Sequence, residues 1–240
     1  PALLWKRPAS LSPEQAAGMP AVFLTAYHGL FQSVPVRKGM KVLVHSAAGG
    51  VGSSLVQMLK VGGTEVTGVV GSSHKVPYLK EIGCDNTIDK SSEDLWEKAR
   101  AFAPEGYDLV FDANGPETLK QSYDALRSTG KLVVYGFHTM LPKQGGKIKY
   151  LKAALGMLRM PKFNPLHMTD KNKSVVAFNL SFLFERKDLL KEAMDDILSW
   201  LAEGKLQAPK VQAFPLSQVG EAHRAIESGK TVGKLVLVTK

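Results

Sequence analysis

The sequence predicts an α/β fold built on a doubly wound, mostly parallel sheet of six strands. Two observations lead there. Short β-branched runs alternate with apolar patterns of helical period from residue 41 to residue 178, and a run of small residues separates the first strand from the first long helix. Strands alternating with helices of this length imply right-handed crossovers, hence parallel pairing with both sheet faces covered.

Taken in order, Ser12 and Pro13 offer an N-cap and a first helical position for Leu11 to Ala17. A second helical stretch, Ala21 to Leu30, follows Pro20, and the turn Pro35-Val36-Arg37-Lys38-Gly39 leads into the first strand. Strands are expected over 41–45, 65–70, 86–88, 109–112, 131–135 and 175–178, with helices over 50–61, 75–82, 92–102 and 117–126. A strong helix over 188–203 carries Leu190, Ala193, Ile197 and Leu201 on one face and ends at Gly204. The tail then reads strand 211–214, helix 217–228 and strand 233–238. Its two strands are expected in another sheet, without crossover helices of their own.

The turn after the first strand reads Ala47-x-Gly49-x-x-Gly52, with Ala where the dinucleotide fingerprint has its first Gly. Gly49 lets the backbone approach a pyrophosphate, and Gly52 lets the helix pack on the strand. The N–H groups and positive dipole end near Gly50 face the diphosphate. This is the first half of a Rossmann-type βαβ unit, whose ligand crosses the carboxyl ends of the strands at the switch point.

Composition narrows the classes. A hydrophobic share of 44% is that of an ordinary globular protein, and no apolar run is long enough to span a bilayer. The single cysteine, Cys84, excludes an internal disulfide and fits a reducing, cytoplasmic compartment. A net charge of +9 points to anionic partners such as a phosphorylated cofactor or an acidic membrane surface. Zinc-finger spacing, RNA-binding aromatics and a compact basic helix are all missing, so nucleic acid is not expected. The insertion 138–174 carries eight Lys and Arg, namely Lys143, Lys147, Lys149, Lys152, Arg159, Lys162, Lys171 and Lys173, against one acid, Asp170. Lys147 to Met160 reads as a basic amphipathic helix, packing on the protein or touching a membrane surface.

The order of motifs resembles the zinc-independent quinone oxidoreductase branch of the medium-chain dehydrogenase/reductase superfamily. The resemblance rests on Ala16-Ala17-x-x-Pro20, Thr25-Ala26-Tyr27, His45-Ser46-Ala47-Ala48-Gly49-Gly50-Val51-Gly52, Gly71-Ser72-Ser73-His74-Lys75, Asp108 to Asp112, Gly130 to Gly136 and Val232 to Leu237. Within that branch, Lys162-Phe163-Asn164-Pro165-Leu166 and Ser174 to Leu180 look like the subgroup of the synaptic-vesicle amine-transport membrane protein. The resemblance implies that residues 1–30 are a linker out of a GroES-like catalytic domain, 31–204 the NADP-binding domain, and 205–240 the return segment. The start at Pro1 looks like the middle of a longer protein.

No Asp or Glu stands about twenty residues past the glycines, where an NAD-binding unit grips the ribose hydroxyls. Ser72 and Ser73 supply donors there and Lys75 supplies charge. The resemblance assigns Gly71 and Lys75 to the adenosine 2′-phosphate, which makes NADPH the expected cofactor. Lys90, where relatives place a Tyr, adds a cation near the same phosphate. Ala48, Gly49, Gly50 and Val51 fall on the pyrophosphate. The resemblance implies Thr25, Gly136, Phe137, Phe178, Asn179 and Leu180 near the nicotinamide and Asn114 near the adenosine ribose.

Zinc-containing relatives have a Cys ligand near the position of Ala21, and neither Cys84 nor the six histidines show ligand spacing, so no metal is expected. His45 is expected as a satisfied core histidine and Asp112 as a loop anchor. No catalytic residue can be named, Tyr27 being one conceivable proton donor. The expected activity is hydride transfer from NADPH to a quinone or other α,β-unsaturated carbonyl by a homodimer. An enoyl reductase and a non-catalytic NADPH-binding, membrane- or lipid-associated protein are the alternatives.

Overall fold

The computed structural model describes residues 3–140, 156–158 and 160–239. Its centre is a six-stranded sheet of β1 (Lys41–Val44), β2 (Glu65–Val70), β3 (Asn86–Asp89), β4 (Tyr107–Asp112), β5 (Leu126–Val134) and β6 (Ser174–Ala177). Their spatial order is β3-β2-β1-β4-β5-β6 with every neighbouring pair parallel. That order reverses direction between β1 and β4, which makes their carboxyl ends the switch point of a Rossmann-type sheet.

Around the sheet lie α1 (Pro13–Gly18), α2 (Pro20–Tyr27), α3 (Gly50–Val61), α4 (Val76–Glu81), α5 (Leu95–Phe102) and α6 (Leu119–Asp124). Further on come α7 (Pro165–Lys171), α8 (Lys187–Ala202) and α9 (Val219–Glu227). Strand alternation sorts the core into two layers. Val42 and Val44 face the layer of α2, α3 and α8, joined by Phe23, Leu55, Leu59, Leu190 and Ile197, while Leu43 faces the layer of α5 and α6 with Ala99 and Leu119. Capping agrees with local chemistry: Ser12 and Gln15 form a reciprocal box at α1, and Asp94 accepts the Glu97 amide at α5.

Besides shifts of up to three residues at the ends of α5, α6 and β4, three larger departures from expectation occur. β5 begins at Leu126 rather than Lys131, with a register irregularity opposite Tyr107 and Leu109 and Thr129 at φ +69. The second helix continues past Tyr27 into a π-turn over His28–Gln32, and α7, opened by Asn164 and Pro165, was not foreseen. Of the expected basic helix over 147–160, residues 147–155 and 159 lie outside the described residues, as do Lys143, Lys147, Lys149, Lys152 and Arg159; residues 156–158 are helical.

The tail departs from expectation in one respect. β7 (Val211–Pro215) and β8 (Lys234–Val238) do form a separate two-stranded sheet, but they are parallel, and α9 is the crossover helix between them. A parallel pair requires such a crossover, so a helix between two strands was itself the signal for parallel pairing.

Candidate functional site

The site is built where β1 gives way to α3. Ser46 takes a left-handed conformation, φ +53, and reverses the chain so that the Gly49 amide donates to the Ser46 carbonyl at 2.9 Å. Gly52 is compulsory here: a Cβ would lie 2.3 Å from the Ser46 oxygen and 2.7 Å from the Ala47 Cα. A Cβ on Gly50 would meet Val22 at 2.9 Å. No side chain among the described residues caps α3 at Gly49, which leaves the first N–H groups of the helix available to a ligand. A turn in which Gly49, Gly50 and Gly52 carry no Cβ, under an uncapped helix start, suits a pyrophosphate, and the residues present therefore fit a dinucleotide. Val51 stands in the first turn and packs partly on the core, while Ala48 is buried.

Loops at the carboxyl ends of β4, β5 and β6 gather beside this cradle. The Ser46 hydroxyl donates to Asn114 Oδ1 at 3.1 Å, tying the two sides of the switch point. The amides of His138 and Thr139 donate to the carbonyls of Ala113 and Asn114 at 2.8 and 2.9 Å, which draws Gly136 and Phe137 over the same edge. Gly115 at φ +100 lies against Phe137, whose ring is otherwise exposed. The Phe178 ring meets His28 edge-on at 4.7 Å, and the Asn179 side chain accepts the Ser181 amide at 3.0 Å, forming the turn that carries Leu180. Thr25, half-buried on α2, donates its hydroxyl to Ala21 O at 2.7 Å and keeps its lone pairs.

At the end of β2, Gly71 lies within 3.8 Å, measured from an added Cβ, of the Lys90 side chain. Lys75 is buried, and its pKa is lowered by burial and then by repulsion from Lys90. One expectation needs correcting. The region was read as free of acid with Ser73 available as a donor, yet the Ser73 hydroxyl donates to Asp89 Oδ2 at 2.6 Å. Asp89 also accepts from the Ser91 amide and hydroxyl, and these bonds hold its carboxyl below the usual range. Its charge is thereby directed at hydroxyls, and Ser72, 3.2 Å from His74 Nδ1, remains.

Two further readings change. Tyr27 donates to Asp196 Oδ2 at 2.5 Å from within the layer of Phe31 and Trp200, and burial, then Asp196, pushes its pKa up. It ties α2 to α8, and its hydroxyl proton is engaged by Asp196. His45 is fully buried with Nε2 3.0 Å from the Ser122 hydroxyl, but Nδ1 has no partner among the described residues. Ser122 gives its proton to Asp112 at 2.7 Å, so the Ser122 oxygen accepts from His45 Nε2 and Nδ1 is left as a bare acceptor. Asp112 is the loop anchor expected, accepting from the Asn114 and Gly115 amides and the Thr118 and Ser122 hydroxyls.

Sequence reading missed the approach of the tail. Gly233 N donates to Ala48 O at 2.8 Å, and the Lys234 stem runs 3.6 Å from where a Gly50 side chain would start. The stem of Lys234 therefore borders Gly50 from the far end of the chain, a contact no local motif reports. Among the described residues no group of three or more His, Cys, Asp or Glu could hold a metal ion. A cleft of about 440 Å³ lined by Trp96, Arg100, Glu105 and Gln121 lies at the opposite, amino end of the sheet.

Residues 82–237, more than half of the chain, match the family model described as zinc-binding dehydrogenase. The chain belongs to that family. Within it the chain falls in the zinc-independent, quinone-oxidoreductase-like branch of the medium-chain dehydrogenases/reductases, near the VAT-1 homologues. It is 31% identical to the synaptic vesicle membrane protein VAT-1 homolog of Danio rerio, over 97% of this chain and 48% of that protein. The crystal structure of Escherichia coli quinone oxidoreductase complexed with NADPH superposes with a TM-score of 0.79 at 27% identity, covering 96% of this chain and 67% of that one. The CurK enoyl reductase superposes at 0.77 and 26% identity, covering 98% and 65%. The chain spans about half the length of the curated relatives it matches.

Proposed function

We propose that the chain is the cofactor-binding part of an NADPH-dependent, zinc-free reductase of quinones or other α,β-unsaturated carbonyls. Residues 31–204 form the binding domain in this reading, with 1–30 and 205–240 as linker from and return to a catalytic domain. The observation that carries it is the cradle at the switch point, where Gly49, Gly50 and Gly52 lack a Cβ, with Lys75 in the turn that follows the neighbouring strand β2.

Bound NADPH supplies a hydride for an electrophilic carbon. The uncapped start of α3 binds the diphosphate, and Gly71, Ser72, Lys75 and Lys90 bind the 2′-phosphate, with Ser73 placing Asp89 rather than touching the ligand. Asn114 borders the adenosine ribose. Thr25, Gly136, Phe137, Phe178, Asn179 and Leu180 orient the nicotinamide and exclude water from one side of it. Likeness to the NADPH complex of the bacterial quinone oxidoreductase supports the cofactor, and likeness to the enoyl reductase keeps an enoyl thioester as the alternative substrate.

Titration of the chain with NADPH and NADH tests the site; tighter NADH binding would overturn it. NADPH oxidation by the full-length protein with a quinone against an enoyl thioester separates the substrates, and light scattering tests the homodimer that accompanies this reading. Buried Cys84, its thiol pushed up to about 12 by burial, accords with a cytoplasmic setting in which it stays reduced.

A second reading, an NADPH-binding protein that touches a membrane surface, draws on the VAT-1 likeness and on Met157, Leu158 and Leu166, all exposed within the basic insertion. No helix among the described residues is long and apolar enough to cross a membrane. Co-sedimentation with anionic vesicles that does not weaken with salt or with neutralised lysines would count against electrostatic surface contact.

A further inference from the structure

Among the described residues, the side chain of Lys75 makes one hydrogen bond, and it lies outside the six-stranded sheet unit: Nζ donates to the Gly229 carbonyl at 2.5 Å, across 154 residues of sequence. Beside it, His74 Nε2 lies 2.9 Å from the Lys230 carbonyl. Both acceptors belong to the turn that follows α9 and leads into β8. The far end of that turn is pinned to the phosphate loop, where Gly233 bridges Gly49 and its amide donates to Ala48.

A carbonyl cannot bind an anion, so its effect is to aim the amine. Burial strips hydration from this ammonium and the Lys90 charge repels it, both of which disfavour its charged form. The Gly229 carbonyl offsets this while using one of three donors, which leaves two for a phosphate. Its direction depends on backbone conformation alone. Gly229 has φ +67, and nothing lies within 4 Å of the position a Cβ would take. Space is free there; the left-handed conformation is what an ordinary side chain resists.

We propose that Gly229 is a positioning residue for cofactor choice: its left-handed backbone aims a carbonyl that holds the Lys75 amine where the 2′-phosphate of NADPH binds. The C-terminal turn thereby raises affinity for NADPH and leaves NADH unaffected. This rests on the NADPH reading of the site.

The test is calorimetric titration of wild type, Gly229→Val and Gly229→Asn with NADPH, NADH and adenosine 2′,5′-bisphosphate, each variant first shown to melt cooperatively. Val resists the left-handed region and Asn accepts it, with equal space for both. Gly229→Val should weaken NADPH and the bisphosphate by about tenfold, the scale of one charge-assisted hydrogen bond, with NADH unchanged. Gly229→Asn should bind all three like wild type. Gly229→Ala carries the same expectation at lower strain should the Val variant not fold. Equal losses for NADPH and NADH, unchanged NADPH binding by the Val variant, or an Asn variant as weak as Val would each overturn the proposal. Wild type binding neither dinucleotide, or preferring NADH, overturns the cofactor reading itself and is seen before any variant is made.

Discussion

Gly52 and His45 show how single residues near the cradle pull in different directions. A Cβ at Gly52 would strike backbone atoms of Ser46 and Ala47, which cannot move without opening the turn. Gly52→Ala should therefore cost about 2–4 kcal/mol in urea unfolding and weaken dinucleotide binding with it. His45 is neutral in the fold because burial lowers its pKa from 6.5, more than Asp112 raises it. The unfolded chain takes up that proton below about pH 6.5 and the folded chain does not, so stability is full above that pH and falls as pH drops toward the depressed folded value. His45→Gln should make the melting temperature less pH-dependent between about pH 7.5 and 5.5. Lys75→Met should weaken NADPH by about tenfold or more while sparing NADH, which a titration with both cofactors reads directly.

At the scale of elements, α2 and α8 are held together by more than apolar packing. Tyr27 reaches Asp196 through the aromatic layer of Phe31 and Trp200. Tyr27→Phe should cost about 1–3 kcal/mol in unfolding, the range for a hydrogen bond to a charged group, and leave NADPH affinity unchanged. An effect on affinity larger than on stability would return Tyr27 to the site. Of the elements expected from sequence, α3, α8 and the strands of the main sheet other than β5 appeared within about two residues of where they were expected. α7 escaped notice because seven residues are too few for periodicity to register, although Asn164 accepts the Leu166 amide as a cap should. The π-turn after α2 escaped because Gly29 leaves no side-chain volume between Phe111 and Phe178, a contact made only by the folded chain.

Across the whole molecule, the central strands β1, β2 and β4 of the main sheet are buried on both faces, whereas β7, β8 and α9 bury little beyond Ala222. Amide exchange should accordingly be slowest in β1 and β4 and faster by orders of magnitude in β7 and β8, and uniform protection would contradict this. The sequence by itself determined the Rossmann-type sheet, because alternation of period 2 and period 3.6 is written locally. It also determined the cradle, because only small residues let that turn close on a strand. The tertiary structure alone decided the partners of these side chains: Ser73 spent on Asp89, Lys75 held by Gly229, and Lys234 brought beside Gly50. Periodicity reports how a segment meets its near neighbours. Contacts spanning 154 residues arise only when the chain closes on itself, and at this site they direct the charge.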